Sequence, residues 1–134
     1  MLDTNVIIDN LARRDEFAES LHILNFCEDG LIEGFVSTIT IMDVMYVLRK
    51  HLNIAEIRDA MWRLIQIVDV VPALKSDINT AFASDFSDFE DAVQASCAAR
   101  LKLDYIVTRN QKDFQKSSVP AILPKEILKL LQDI

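Results

Sequence analysis

The sequence predicts a three-layer α/β/α sandwich around a central parallel sheet, formed as one domain by residues 1–134. Short apolar or β-branched runs alternate along the chain with longer segments whose apolar residues recur at helical spacing. Strands that alternate with helices in this way form parallel sheets, which are covered by helices on both faces. No linker, repeat or low-complexity tract interrupts the alternation, and 134 residues is a typical length for one domain.

The first half of the chain begins with an apolar stub, Met1-Leu2, which is short for a strand. Apolar residues then recur at helical spacing over residues 17–27 and stop before Asp29-Gly30, a pair typical of a helix end. The run Phe35-Val36 predicts a buried strand, and the hydroxyl side chains after it favour the start of another helix. Apolar spacing predicts a further helix over residues 54–67.

The second half of the chain repeats the alternation of strands and helices. The β-branched run at residues 68–71 ends at Pro72 and predicts a strand. Residues 105–107 form a second apolar strand, and residues 121–123 fit an edge strand. Helices are expected around residues 74–84, around residues 88–101 and, after Pro124 at the first helical position, over residues 125–131.

Glycine, cysteine and histidine are too few for several kinds of site. The chain has two glycines, whereas a dinucleotide-binding loop needs three close together and a Walker loop needs Gly followed by Lys. The two cysteines and two histidines lie far apart in the sequence, which argues against a structural zinc site. Any bound metal is therefore expected to have oxygen ligands.

The net charge of −7, from 14 basic and 21 acidic side chains, argues against a protein that grips nucleic acid by phosphate contacts alone. No uncharged stretch is long enough to cross a bilayer, and the first residues lack the basic region of a secretory signal. Two cysteines without an evident partner fit a reducing compartment. We therefore expect a cytoplasmic protein without a membrane segment.

Four aspartates fall where a parallel α/β fold places its functional site. In such sheets the site lies beyond the carboxyl ends of the strands. Asp3 follows the first apolar stub, Asp113 lies beyond the strand at residues 105–107, and Asp43 and Asp91 lie near the starts of helices. We expect these four acids to converge at one edge of the sheet.

Each of these acids also has a purely structural explanation, which the sequence leaves open. Asp43 lies three residues after Thr40, so the pair matches a capping box. Ser87 and Glu90 match the same pattern, which accounts for Glu90 but leaves Asp91 over. The other acids can serve as cap, helix-dipole or loop acids: Asp3, Asp91 and Asp113.

Four segments, taken together and in order, resemble the PIN-domain family: MLDTNVIID, STITIMDVMYVLRK, DFEDAVQASCA and DYIVTRNQKDF. They span nearly the whole chain, and four at this spacing form a specific signature although each is weak alone. Within the family the chain is most similar to the VapC-type toxin ribonucleases of prokaryotic toxin–antitoxin systems. The family fold is a three-layer sandwich with a parallel sheet, in agreement with the fold predicted above.

The resemblance implies four metal-binding, catalytic acids: Asp3, Asp43, Asp91 and Asp113. It also implies polar side chains that hold these carboxylates in place: Asn5, Thr108 and Asn110. Three basic side chains near the last buried strand can contact RNA phosphates or serve as solvated loop charges: Arg109, Lys112 and Lys116. Because the acids offer only oxygen ligands, they suit Mg²⁺ or Mn²⁺.

The activity that the resemblance implies is hydrolysis of single-stranded RNA with one or two Mg²⁺ or Mn²⁺ ions. Such an ion activates a water molecule for in-line attack on the phosphodiester, so a side-chain nucleophile is not needed. Two Mg²⁺ ions would change the net charge from −7 to −3, which weakens the objection from charge. Because toxin relatives are usually homodimers that bind a small antitoxin, the expected partners are RNA, an antitoxin protein and a second copy of the chain.

Three positions depart from the common toxin pattern. Asp43 stands where Glu is usual, so its shorter side chain is expected to reach an ion through a water molecule. Asn110 stands where many relatives carry an acid, which transfers that role to Asp113. Only two residues precede Asp3, so the first strand is a stub or the true start lies upstream.

Two alternative functions therefore remain. A degenerate PIN domain would bind RNA or protein without catalysis, and the departures at Asp43 and Asn110 keep this interpretation open. A phosphotransfer protein of the receiver or haloacid-phosphatase type also places acids at strand ends. It is less favoured because Asp3 is followed by Thr4-Asn5 and not by the second acid that such proteins carry.

Overall fold

The computed structural model of the protein describes residues 1–133. The helices are α1 (Thr4–Leu11), α2 (Phe17–Glu28), α3 (Thr38–Leu48), α4 (Ile54–Ile67), α5 (Lys75–Phe82), α6 (Phe89–Arg100) and α7 (Pro124–Gln132). The strands are β1 (Phe35–Ser37), β2 (Asp69–Val71), β3 (Ile106–Val107) and β4 (Ala121–Ile122). A short 3₁₀ helix at Gln111–Phe114 was not predicted. Within the described residues, no helix has the length and apolarity needed to cross a membrane.

The strands form a parallel sheet with the amino terminus at its centre. Strand β1 pairs with β2, with Val36 opposite Val70, and β3 pairs with β4. Met1-Leu2 joins the two pairs: the N–H of Leu2 donates to the carbonyl of Phe35 at 2.7 Å, and the N–H of Val107 donates to the carbonyl of Met1 at 2.8 Å. The order across the sheet is therefore β4, β3, Met1-Leu2, β1, β2.

Helices cover both faces of this sheet. One set of strand side chains packs into a core with α1 to α4 and α7: Leu2, Val36, Val107 and Ile122. Their chain neighbours pack into a second core with α5, α6 and the 3₁₀ helix: Met1, Phe35, Ile106 and Ala121. Successive residues of a strand point to opposite faces, so short apolar strands supply both cores. The predicted three-layer α/β/α sandwich is confirmed.

Gly34 sets how closely β1 approaches its neighbours. A Cβ atom at this position would lie 2.7 Å from Sγ of Cys27 and 2.9 Å from Cγ1 of Val68. Both atoms belong to buried core residues, which have little room to move. A residue with a side chain would therefore push β1 away from the ends of α2 and α4.

Ser37 caps helix α3, one turn earlier than predicted. Its Oγ accepts a hydrogen bond from the N–H of Thr40 at 3.1 Å. The alternative explanation of Asp43 as the acid of a capping box with Thr40 is therefore wrong, because Thr40 lies inside the helix. The Asp43 side chain is consequently not engaged at the helix start.

Asp88 caps helix α6, one residue later than predicted. Its Oδ1 accepts a hydrogen bond from the N–H of Asp91 at 2.9 Å. The predicted box of Ser87 and Glu90 is wrong, because an aspartate at the next position is an equally good cap. Capping therefore does not explain why Glu90 lies at this position.

Candidate metal centre

Asp3 lies at the carboxyl edge of the sheet, between the central Met1-Leu2 segment and helix α1. It occupies the N-cap position of α1, but its side chain makes no cap hydrogen bond. One carboxylate oxygen accepts from the hydroxyl of Thr108 at 2.8 Å, and the other accepts from the side-chain amide of Gln94 at 3.1 Å. Because Asp3 is only 4% exposed, these two donors replace water around its charge.

A cavity of about 380 Å³ opens beside Asp3, between helices α1, α3 and α6. Three of the four predicted acids line it: Asp3, Asp43 and Asp91. Its other polar wall residues are Thr4, Asn5, Tyr46, Asp88, Glu90 and Gln94. The fourth predicted acid, Asp113, lies outside this wall, in the exposed part of the 3₁₀ helix.

Asp91 is partly buried in the first turn of α6 and surrounded by like charges. Burial is the main cause that raises the pKa of Asp91 from 3.8 to about 7, followed by the charges of Asp88, Asp3, Asp113 and Glu90. Asp113 is thus near enough to influence Asp91, although it does not line the cavity. Carboxylates in this situation take up protons unless a cation neutralises them.

Glu90 and Asp43 bring a second pair of carboxyl groups into the cavity, one from α6 and one from α3. A hydrogen bond to Asp43 is the main cause that raises the pKa of Glu90 from 4.5 to about 7, followed by burial and by the charges of Asp43 and Asp88. Two carboxyl groups this close repel each other when both are ionised, so the charge of one disfavours ionisation of the other. Sequence reasoning missed Glu90 because its spacing from Ser87 matched a cap.

The loop after β3 supports Asp3 through Thr108, which is fully buried. The backbone N–H of Asn110 donates to the hydroxyl oxygen of Thr108 at 3.0 Å, while that hydroxyl donates to Asp3. The Asn110 side chain itself is exposed. Asn5, in the first turn of α1, lines the cavity beside Thr4. Thr108 therefore contacts Asp3, a predicted metal-binding acid. Asn110 contacts Thr108, and it does so through its backbone N–H.

The predicted basic residues lie in different surroundings. Nε of Arg109 forms an ion pair at 2.8 Å with the carboxylate of Asp9, a buried residue of α1 that the sequence did not indicate. Burial raises the pKa of Asp9, and the charge of Arg109 only partly offsets this. Lys112 is exposed, and Nζ of Lys116 donates to the carbonyl of Asp85 at 3.3 Å. Arg109 thus ties the loop after β3 to α1, and the two lysines lie at the surface.

Gln94 is a cavity residue that sequence reasoning missed. It lies one turn after Asp91 on α6, is 3% exposed, and donates to Asp3 across 91 positions of sequence. The three-residue spacing from Asp91 places both side chains on one face of the helix. The sequence contained a signal for this role: a glutamine lies three residues after Asp91, among small side chains that pack closely. A buried amide at such a position requires a polar partner.

The polar atoms around the cavity are oxygen donors of the type that Mg²⁺ and Mn²⁺ prefer. Among residues 1–133, no three His, Cys, Asp or Glu side chains already lie close enough together to form a metal-binding cluster. Repelling carboxylates lie farther apart than carboxylates that share a cation. The donor chemistry therefore fits a hard divalent cation, which one or two of these carboxylates would hold together with retained waters.

Comparisons with known proteins provide independent information on the fold. The family model described as PIN domain matches residues 1–112. A solved structure described as a toxin–antitoxin complex from Klebsiella pneumoniae contains a chain with a TM-score of 0.70 and 22% sequence identity. The match covers 92% of this chain and 95% of that chain, and at this identity it shows the shared fold. No curated protein matches the chain significantly.

Proposed function

This chain belongs to the PIN-domain family, whose members are generally nucleases, and we propose that it is a divalent-metal-dependent endoribonuclease that cleaves single-stranded RNA. The observation that carries the proposal is the group of acids that lines one cavity with Asp91, where burial first and the neighbouring carboxylates second raise the pKa of Asp91 to about 7. Such a group is unfavourable for folding by itself but suits a site that binds a cation. Asp3, held by two buried donors, lies in the same cavity.

Four aspartates hold one or two Mg²⁺ or Mn²⁺ ions in this proposal: Asp3, Asp43, Asp91 and Asp113. Asp43 would bind the ion directly or through a water molecule. Contact through water is expected because its side chain is one methylene shorter than that of glutamate. A bound cation would supply positive charge for the phosphate and lower the pKa of the attacking water. Glu90 also lines the cavity, and its pKa of about 7 in the metal-free protein would fall, with release of a proton to solvent, if a cation were bound there.

The other residues of the proposed site orient the acids and the RNA. Thr108 holds one oxygen of Asp3, the backbone of Asn110 supports Thr108, and Asn5 contributes a polar wall. Phosphate contacts would come from the surface residues Lys112 and Lys116 and from the part of the Arg109 guanidinium that its ion pair with Asp9 leaves exposed. Because the chain carries a net charge of −7, we expect these contacts to be few and binding to depend strongly on the cation.

The likeness in fold to a chain of a toxin–antitoxin complex supports a more specific proposal, that the chain is the toxin of such a pair. Its partners would be an antitoxin protein and a second copy of itself, and it would act in the cytoplasm. Two buried free cysteines, Cys27 and Cys97, agree with a reducing compartment. Growth arrest on induction of the parent, but not of Asp91→Asn, tests the toxin role, and light scattering of the purified protein tests the dimer.

Cleavage of labelled single-stranded RNA tests the enzymatic proposal directly. The parent should cleave with Mg²⁺ or Mn²⁺ and lose cleavage in a chelator, and Asp91→Asn should cleave at least about 100-fold more slowly. Asp69→Asn is the matched control, since Asp69 is an exposed aspartate at the amino end of β2, away from the cavity. Equal cleavage by the parent and Asp91→Asn would reject the proposal.

One observation favours a second candidate, a PIN domain that binds RNA or protein without catalysis. The acids of the described residues do not form a ready metal-binding cluster. Titration with Mn²⁺ in a calorimeter separates the two candidates, because the non-catalytic module would show weak or undetectable cation binding. Cation binding that disappears in Asp91→Asn and is retained in Asp69→Asn would favour the nuclease.

A further inference from the structure

Gln94 has a side chain whose two polar ends are in different situations. Its Nε2 donates to Oδ1 of Asp3 at 3.1 Å. Its Oε1 is buried and has no hydrogen-bond partner among the described residues. The residue is 3% exposed and lines the cavity that contains Asp3, Asp43 and Asp91. A buried acceptor without a donor is unfavourable, so this oxygen requires an explanation.

The orientation of the Gln94 amide follows from the chemistry of its partner. An ionised carboxylate can only accept hydrogen bonds, so the NH₂ group must face Asp3 and the carbonyl oxygen must point elsewhere. Rotating the amide by half a turn would place two acceptors against each other. The unpartnered oxygen is therefore imposed by the contact with Asp3, and an apolar side chain of similar size would avoid its cost.

We propose that Gln94 is a positioning residue for the divalent cation, an inference that rests on the proposed metal-dependent function. Its N–H holds Oδ1 of Asp3 while Thr108 holds Oδ2, so the plane of the carboxylate is fixed from both sides. Its Oε1, which has no partner and almost no contact with solvent in the metal-free cavity, would accept a hydrogen bond from a water molecule that the entering cation brings to this side of the cavity. Mg²⁺ and Mn²⁺ retain several waters in such sites, and these waters need acceptors.

A purely structural role for Gln94 predicts a different outcome. If the residue served only to pack α6 against Asp3, removing its polar atoms would change the stability of the metal-free protein and leave cation affinity unchanged. A positioning role predicts a loss of cation affinity in addition to any change in metal-free stability, because Gln94 holds Asp3 in both states while its Oε1 lacks a partner in the metal-free protein. Cation affinity and metal-free stability therefore have to be measured on the same variants.

The test compares Gln94→Met with the parent by titration of Mn²⁺ in a calorimeter and by thermal unfolding in a chelator. Methionine has nearly the same length and neither donates nor accepts strongly. We expect a loss of Mn²⁺ affinity of about 10- to 100-fold, together with a lower metal-free unfolding temperature because Asp3 loses one of its two donors. Gln66→Met is the matched control, since Gln66 is an exposed residue of α4 that bonds only to a backbone carbonyl of its own helix.

A second variant keeps the proposal testable if Gln94→Met does not fold. Gln94→Asn retains the amide but withdraws it by one methylene, and it should lose Mn²⁺ affinity in the same range. Unchanged Mn²⁺ affinity in whichever variant folds would overturn the proposal. Parent protein that binds Mn²⁺ but cleaves no RNA would reject the nuclease function alone, whereas parent protein that does not bind Mn²⁺ would reject both.

Discussion

Helix α6 contributes side chains to two groups of buried polar residues. In one group the charge of a carboxylate is balanced by neighbouring donors, and in the other it is not. Its last two turns face Asp77 of α5, a residue that is 1% exposed. Its first two turns supply Asp91 and Gln94 to the cavity beside Asp3. The same helix therefore supplies donors to a buried acid of α5 at one end and an acid surrounded by other acids at the other end.

Donors surround Asp77 on all sides. Burial alone would raise the pKa of Asp77, but hydrogen bonds from Arg100, the backbone of Leu74, Ser96 and Cys97 outweigh it and lower the pKa. The guanidinium of Arg100 lies 3.0 Å from the carboxylate. This group is complete within the chain, and it stabilises the packing of α5 against α6.

The acids around Asp91 lack such a partner among the described residues. Burial and four neighbouring carboxylates raise the pKa of Asp91, whereas Arg109 in the loop after β3 is paired with Asp9. The comparison shows that α6 combines a self-sufficient ion pair with an acidic cavity whose charge must be balanced from outside. Stability and function should therefore respond differently to changes at its two ends.

The largest effect on stability is expected for Arg100→Met. Removing the guanidinium leaves Asp77 buried without its main partner, which should lower the free energy of unfolding by about 3 kcal/mol. Chemical denaturation measures this loss. Arg63→Met is the control, because Arg63 pairs with Asp59 on the surface, with exposed side-chain fractions of 78% and 60%, and should change stability by less than about 1 kcal/mol. Similar losses in both variants would contradict the comparison.

Divalent cations should stabilise the protein through the other end of α6. At a concentration of about 100 times Kd, Mn²⁺ should add about 2.7 kcal/mol to the free energy of unfolding. Thermal unfolding with and without Mn²⁺ checks this, and Asp91→Asn should remove most of the shift while Arg100→Met retains it. A shift of equal size in the parent and Asp91→Asn would show that the cation binds elsewhere.

The metal-free protein should lose stability as the pH rises from about 4 to about 7. Folding raises the pKa of Asp91 from 3.8 and that of Glu90 from 4.5, both to about 7. Between these values the folded protein retains protons that the unfolded chain has released, so raising the pH favours unfolding. Unfolding temperatures in a chelator at about pH 5.5 and about pH 8 measure the effect. Asp91→Asn should flatten the profile, and an equally steep profile in that variant would refute this assignment.

The smallest effect is expected for Ser96→Ala, which removes one of the donors around Asp77. Its hydroxyl donates to the carboxylate at 3.0 Å, while Arg100 and the backbone of Leu74 remain as donors. The free energy of unfolding should fall by about 1 kcal/mol, as for a typical hydrogen bond. Chemical denaturation of Ser96→Ala and Arg100→Met under the same conditions compares their losses of unfolding free energy. A larger loss for Ser96→Ala would contradict the dominant role assigned to Arg100.

Local patterns predicted most elements of the fold, but not helix α1 (Thr4–Leu11) or the 3₁₀ helix at Gln111–Phe114. The helix expected over residues 54–67 is α4, because apolar spacing and the cap at Asn53 act within a few residues. Caps themselves were less predictable. Ser37 and Asp88 were chosen over neighbouring candidates with equally suitable side chains, and the direction in which the chain enters each helix decides between them.

The sequence by itself determined the order of strands and helices, the resemblance to PIN domains, and an acidic, oxygen-only donor set. Only the tertiary structure decided which of those oxygens share a cavity and which polar groups hold them. Asp3 meets Gln94 and Thr108 across 91 and 105 positions, and Arg109 is paired with Asp9. The physical reason is that periodicity and capping act over one or two helical turns, whereas charge repulsion, burial and hydrogen bonding depend on distances set by the folded sheet.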